Sequence, residues 1–143
     1  MILCGEFKHA LDAKNRLFIP AKHREEFGEN VMIVRDSENK CLLVYSIEEW
    51  DKYCAAALAK VPITRRNTVN RYLYRTALKC GFDSQGRVLL TTELCEHAGL
   101  TKGTAVIVGC GDYAEIWNEE CYQAKIEEED PEEILALLRQ YDI

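Results

Sequence analysis

Two short segments of this 143-residue chain carry the residue types that could do chemistry, and both carry them in the same order. Asp12-Ala13-Lys14-Asn15-Arg16-Leu17-Phe18-Ile19-Pro20 returns as Asp83-Ser84-Gln85-Gly86-Arg87-Val88-Leu89-Leu90-Thr91. Each joins an acid, a residue tolerant of left-handed backbone, a cation and an apolar run. Asp at the head of a turn accepts hydrogen bonds from backbone N–H groups two or three residues on, and Asn and Gly best adopt positive φ. The pattern describes a hairpin whose tip holds a cation in one place. A single exposed Asp–Arg pair adds little stability. Two cationic turns can instead straddle or enter a DNA groove, where Arg reads guanine edges and Lys meets phosphate. The candidate DNA-binding residues are therefore Asp12, Lys14, Asn15 and Arg16, with Asp83, Gln85 and Arg87. The first copy is the stronger, since Lys14 and Arg16 stand near Lys8 and Lys22; the second has Arg87, with Ser84 and Gln85 as neutral hydrogen-bonding groups.

Other chemistries lack their residues. His9, His23 and His97 are scattered and form no Ser/His/Asp or Cys/His arrangement, so no enzyme is expected. The seven cysteines contain no CxxC pair, and Cys95-Glu96-His97 has no second ligand pair; neither metal nor cofactor is expected. Without an export pattern in Met1 to Phe18, the thiols are expected to be free, most of them small core residues. No apolar run approaches a membrane span, so a cytosolic protein without membrane contact is expected. The net charge of −6 argues at first against nucleic acid, but its distribution does not. Residues 1–80 carry 14 Lys/Arg against 10 Asp/Glu, and residues 81–143 carry 4 against 14. A basic working face and an acidic, solvated tail follow.

The elements that must position the turns also recur. Glu6 to Leu11 reads as a strand with Leu17-Phe18-Ile19 as its hairpin partner, and Pro20 opens a short helix over Ala21–Phe27 closed by Gly28. Val31–Val34 and Leu42–Tyr45 are strands, and Ser46 caps a helix from Ile47 to about Lys60. Thr64 is expected to cap a helix to Thr76, its Val69, Tyr72 and Leu73 inward and its Arg65, Arg66, Arg71 and Arg75 outward; a subunit interface is the alternative for those arginines. The second copy repeats strand, turn, strand, short helix and two strands. Asn118 then caps a helix towards Glu129, and a last helix covers Glu132–Tyr141. Trp50 and Trp117 are expected as core or interface anchors. A unit of this size is small for a core of its own, so the copies are expected to share one. The boundaries read as unit 1 at 5–47, linking helices at 48–75, unit 2 at 76–119 and an acidic helical tail at 120–143.

Gly5-Glu6-Phe7, Leu11 to Pro20, Cys41 to Tyr45 with Glu48-Glu49-Trp50, Asp83 to Leu89, His97-Ala98-Gly99-Leu100 and Val108-Gly109 with Glu115-Ile116-Trp117 together resemble the MraZ family, over nearly the whole chain and in order. The resemblance implies a mainly β, α+β fold: a pseudo-twofold, swapped-hairpin barrel of two SpoVT-AbrB-type units with peripheral helices. It further implies a nucleoid-associated transcriptional regulator, assembled as a homo-oligomeric ring. Such rings bind repeated boxes in double-stranded promoter DNA, upstream of the division and cell-wall gene cluster that the family's own gene begins. No small-molecule substrate is implied. The DxxxR motifs, the DNA-contacting elements of the family, map to Asp12/Arg16 and Asp83/Arg87. Family members commonly have Gly at the place of Asn15, and Gln85 stands where the first copy has Lys14, which marks the second hairpin as the weaker DNA contact. Arg75-Thr76 departs from the small-residue pattern usual there. An antitoxin-type protein-interaction module is the alternative function.

Overall fold

The computed structural model describes residues 2–101 and 103–142. The first copy folds as β1 (Glu6–Ala10), β2 (Arg16–Phe18), α1 (Ala21–Phe27), β3 (Asn30–Arg35), β4 (Leu42–Ser46) and α2 (Ile47–Ala59). A 3-10 turn at Ile63–Arg65 and α3 (Arg66–Arg75) lead to the second copy: β5 (Leu78–Gly81), β6 (Arg87–Leu89), α4 (Thr92–Ala98), β7 (Thr104–Gly109), β8 (Ala114–Asn118) and α5 (Glu119–Glu128). The last helix is α6 (Pro131–Gln140). Ser46 and Asn118 cap as their types require, accepting from Glu49 N at 3.1 Å and Cys121 N at 3.1 Å. Thr64 does not cap α3. It falls within the 3-10 turn, and Arg65 occupies the cap position with no side-chain bond.

Strand pairing departs from the hairpins expected of the sequence. β1 does not pair with β2; it pairs antiparallel with β7 of the other copy, and β5 pairs with β3. β2 and β6 pair with each other as a separate two-stranded ribbon. The other strands form one antiparallel sheet in the order β1-β7-β8-β4-β3-β5. This ladder ends at β1 and β5, so it does not close into a barrel; the expected α+β class holds without that closure. The physical reason is that a four-residue turn fixes its own loop but not the ladder beyond it. Each first strand pairs instead across the repeat, where its inward apolar residue meets an apolar partner. Phe7 faces Ile107 just as its counterpart Leu78 faces Ile33. Leu17 faces Val88, its own repeat equivalent, and Leu43 faces Glu115, so the pseudo-twofold axis passes through both pairs.

Alternation along the central strands separates the cores. Val31, Ile33, Leu42, Val44, Ala105, Ile107, Ala114 and Ile116 face a shared interior with Leu17, Val88 and the inner sides of α1 and α4. On the opposite face, Met32, Val34 and Tyr45 pack with Trp50 and Cys54, while Val106 and Cys41 pack with Trp117 and Tyr122. Trp50 and Trp117 are therefore core anchors of the two units, 3 % and 4 % exposed. The cysteines are free; Cys41, Cys54 and Cys95 lie in the core clusters and the half-buried Cys80 and Cys121 pack against them, while Cys110 is half-buried and Cys4 exposed. Val69 and Leu73 are half-buried, but Tyr72 is 50 % exposed, because α3 rests against α2 along one narrow edge.

Candidate nucleic-acid interface

Both turns fold through the same set of bonds. Asp12 Oδ1 accepts from Lys14 N at 2.9 Å and Arg16 N at 2.8 Å, while Oδ2 accepts from Arg16 Nε at 2.6 Å. Asp83 Oδ1 accepts from Gln85 N and Arg87 N, each at 2.9 Å, and Oδ2 from Arg87 Nε at 2.9 Å. Asn15 and Gly86 adopt φ of 60° and 77°, the left-handed turn that their types favour. Donation by the Arg16 N–H is the largest cause holding the Asp12 carboxyl below its usual range; the Arg16 guanidinium and the Lys14 N–H add to it, and partial desolvation opposes it. The Arg87 N–H does the same for Asp83. Each carboxylate is thus held charged, and each guanidinium is aimed by it.

The turns are also tied to each other. Leu90 N donates to Asn15 O at 2.9 Å, and Ile19 N to Gly86 O at 3.0 Å, so each left-handed residue offers its carbonyl to the other copy's strand. Antiparallel β2 and β6 place Arg16 opposite Leu89 and Arg87 opposite Phe18. The result is one short ribbon with a cationic turn at either end. Across it, Arg87 Nη1 lies 3.5 Å from Asp12 Oδ2. Arg87 therefore touches two carboxylates, whereas Arg16 touches Asp12 alone and keeps its terminal nitrogens free of protein partners among the described residues.

All seven residues expected at the site come together on this ribbon and its turns, with Lys14 and Gln85 exposed. Lys8 does not join them; it lies on β1 and pairs with Glu119 at 3.4 Å. Arg24, unremarked in the sequence, does join. Its Nε donates to Ile19 O at 2.8 Å and its guanidinium carbon lies 5.3 Å from the Phe18 ring centroid. A Cβ at position 86 would come within 2.6 Å of that guanidinium, so Arg24 covers the second turn. The one sequence signal was a mismatch: α1 has Arg24 where α4 has the buried Cys95.

A second chemistry-bearing group lies away from the turns. Asp36, Cys41 and Glu115 bring one ligand atom each within 4.8 Å of one another. Cys41 Sγ and Asn39 Nδ2 donate to Asp36, and Trp117 Nε1 donates to Glu115, while burial pushes the Cys41 thiol far up. His97 Nε2 lies 3.1 Å from Asp36 O and ties α4 to the loop after β3.

A duplicated β unit that clamps two Asp-x-x-x-Arg turns back to back defines the class of protein. The family model described as "MraZ protein, putative antitoxin-like" matches residues 2–68 and 73–136, and the chain belongs to that family. It is 48% identical over 118 residues to a transcriptional regulator MraZ of Lactobacillus gasseri, covering 81% of this chain and 80% of that one. Regulators of the same name from Thermoanaerobacter and Lactobacillus helveticus are 39% identical over 124 residues (85% of each chain) and 46% over 126 (87% and 86%).

Proposed function

We propose that the chain is a sequence-specific regulator of transcription that binds double-stranded DNA through the Asp12–Arg16 and Asp83–Arg87 turns. The observation that carries this reading is the clamped ribbon, which fixes two aimed guanidiniums within one rigid element. Arg16, with its free terminal nitrogens, reads a base edge; Lys14 meets phosphate; Arg87 and Arg24 make the weaker contact at the other end. The names of the relatives support the regulatory role. Asp12 and Asp83 act as positioning residues, and Asn15 and Gly86 set the turn.

One chain offers few cations, and affinity grows with the number of phosphates neutralised. A ring of copies, interleaved internally as swapped hairpins between units 5–47 and 76–119, raises the effective concentration of turns on repeated promoter boxes. The regulated genes would be the division and cell-wall cluster beginning with the protein's own gene, which places the protein in the cytoplasm at the nucleoid. The acidic segment after 119 lies away from DNA. The test is a mobility-shift titration and footprint on DNA upstream of that gene. Regularly spaced protection is expected, nearly abolished by Arg16→Ala and intact in Arg139→Ala. Equal losses in the two variants, or no protection with a partner co-purifying, would favour the antitoxin-type module that the family description names.

A further inference from the structure

Asp36, Cys41 and Glu115 follow no local spacing, because the fold assembles them from both copies. Asp36 follows β3, Cys41 precedes β4, and Glu115 sits on β8 opposite Leu43. Asp36 N closes the loop between the first two by donating to Cys41 O at 3.1 Å. His97 holds that loop from α4, its Nε2 lying 3.1 Å from Asp36 O and 3.3 Å from Asn39 O. The three side chains that can ligate a metal are thus framed from several sides, with one ligand atom from each within 4.8 Å of the others.

The set is short of positive charge. Asp36 and Glu115 are half-buried, and neither is paired with a cation among the described residues. Their donors are neutral: Glu38 N at 3.1 Å and Asn39 Nδ2 at 3.0 Å on Asp36, and Trp117 Nε1 at 3.1 Å on Glu115. Two carboxylates this close repel unless a cation or a proton compensates them. Cys41 is fully buried, and its Sγ donates to Asp36 Oδ2 at 3.5 Å, a weak bond that an ion would replace. An approach is present too. Asp36 and Glu115 line an open cavity of about 690 Å³ together with Glu38, Glu49 and Asp112. The one cation in that lining, Lys52, is already engaged by Glu48 and Glu49. Such a cavity draws divalent cations towards the pair, with the thiol behind it.

We propose that Asp36, Cys41 and Glu115 bind one zinc ion, with a water from the cavity in the fourth position. Zinc takes thiolate and carboxylate ligands together in a tetrahedral site, whereas magnesium and calcium take oxygen. On binding, the Cys41 S–H bond breaks, its proton leaves to water, and the sulfur electron pair goes to the ion. Asp36 gives up the thiol hydrogen bond and keeps those from Asn39 Nδ2 and Glu38 N, which hold its oxygens in place. The ion then ties a loop of the first unit to a strand of the second, so the fold should gain stability as zinc is added. The inference rests on neither the DNA reading nor the assembly of copies.

The test is a zinc titration of the reduced, untagged full chain in competition with a chromophoric chelator. One ion per chain is expected. The Trp117 indole, 4% exposed and bonded to Glu115, should change its emission as the site fills. Cobalt in place of zinc should show a thiolate-to-metal charge-transfer band and the strong visible bands of a tetrahedral ion. Cys41→Ser should abolish the charge-transfer band. That variant and Glu115→Gln should each weaken zinc by more than the roughly 10–100-fold lost when a group that merely supports a ligand is removed. Cys4→Ser, at an exposed thiol, should leave band and affinity unchanged. No saturable binding, a charge-transfer band that survives Cys41→Ser, or displacement of zinc by excess magnesium or calcium would each overturn the proposal. Should Cys41→Ser or Glu115→Gln lose its far-UV dichroism, Asp36→Asn, which keeps an acceptor for the loop, carries the same affinity test.

Discussion

The turn at Asp12–Arg16 and the turn at Asp83–Arg87 share a backbone path but not a set of partners. In the first, one carboxylate receives its own guanidinium at 2.6 Å and the other turn's at 3.5 Å. In the second, among the described residues, the carboxylate receives only its own, and the guanidinium is divided between two acids. Asn15 has room for a side chain, whereas Gly86 is buried beneath Arg24. Duplication preserved the geometry that aims a cation and let the surroundings diverge. Among the described residues, the first guanidinium keeps its terminal nitrogens free, and the second is shared between two acids. The difference leaves one end of the ribbon with unengaged donors and the other covered by Arg24.

The largest way to break that division is to remove each cation in turn. Arg16→Ala should lower specific affinity by about 1–3 kcal/mol for every turn engaged, the scale of one good base contact. Losses multiply across repeated boxes. Arg87→Ala should cost less in affinity while loosening Asp12 as well as Asp83. Equilibrium mobility shifts on a promoter fragment and on scrambled DNA measure both effects. Equal losses would make the turns equivalent readers and end the comparison.

Lys14 and Gln85 offer a smaller lever. Lys14→Gln should reduce the salt dependence of binding by about one phosphate contact per engaged turn and weaken specific and scrambled DNA alike. Gln85→Lys should steepen it by a similar amount. A double exchange that restores the wild-type slope would show that the two ends are interchangeable for phosphate; an unrestored slope keeps them distinct. Titration of binding against salt reads this directly.

The geometry of both turns is legible in the sequence. The Asp, the left-handed residue and the Arg are a local code, complete within five residues, and local codes survive folding. The helices at Ala21–Phe27 and after Ser46 and Asn118 were legible for the same reason. What was not legible is non-local. Nothing in Glu6–Ala10 distinguishes β2 from β7 as a partner, since both offer consecutive apolar residues. The approach of Arg24 to Gly86 depends on that cross-pairing, and so was invisible. Thr64 failed as a cap because Pro62 and a 3-10 turn set the entry to α3.

The left-handed positions give a test of smaller effect, on stability. Gly86→Ala forces a Cβ into the Arg24 guanidinium at positive φ and should cost about 1–2 kcal/mol. Asn15→Gly replaces one tolerant type by another and should stay within about 0.5 kcal/mol. Thermal unfolding of the two variants compares them. Gly86→Ala in an Arg24→Ala background should recover the part of the loss due to the contact and retain the part due to φ. A full recovery would mean that Gly86 serves Arg24 alone.

The smallest expected difference is in proton affinity, and it tests whether Arg87 truly serves both acids. Both carboxyls are held below the ordinary aspartate value of 3.8, chiefly by backbone N–H donation from Arg16 and Arg87. A depressed folded value favours the charged form, so each acid supports its turn above the ordinary value and stops doing so as the pH falls through the lowered one. The turns should therefore hold at neutral pH and loosen only in acid below 3.8. Carboxyl-carbon NMR titration follows each group. Arg16→Ala should raise the Asp12 value part of the way, because the backbone donors remain, and leave Asp83 unmoved. Arg87→Ala should raise Asp83 part of the way and Asp12 by less, since the cross-ribbon contact is the longer one. If Asp12 does not respond to Arg87→Ala at all, the turns are coupled only through Asn15 O and Gly86 O, and the shared carboxylate drops out of the comparison.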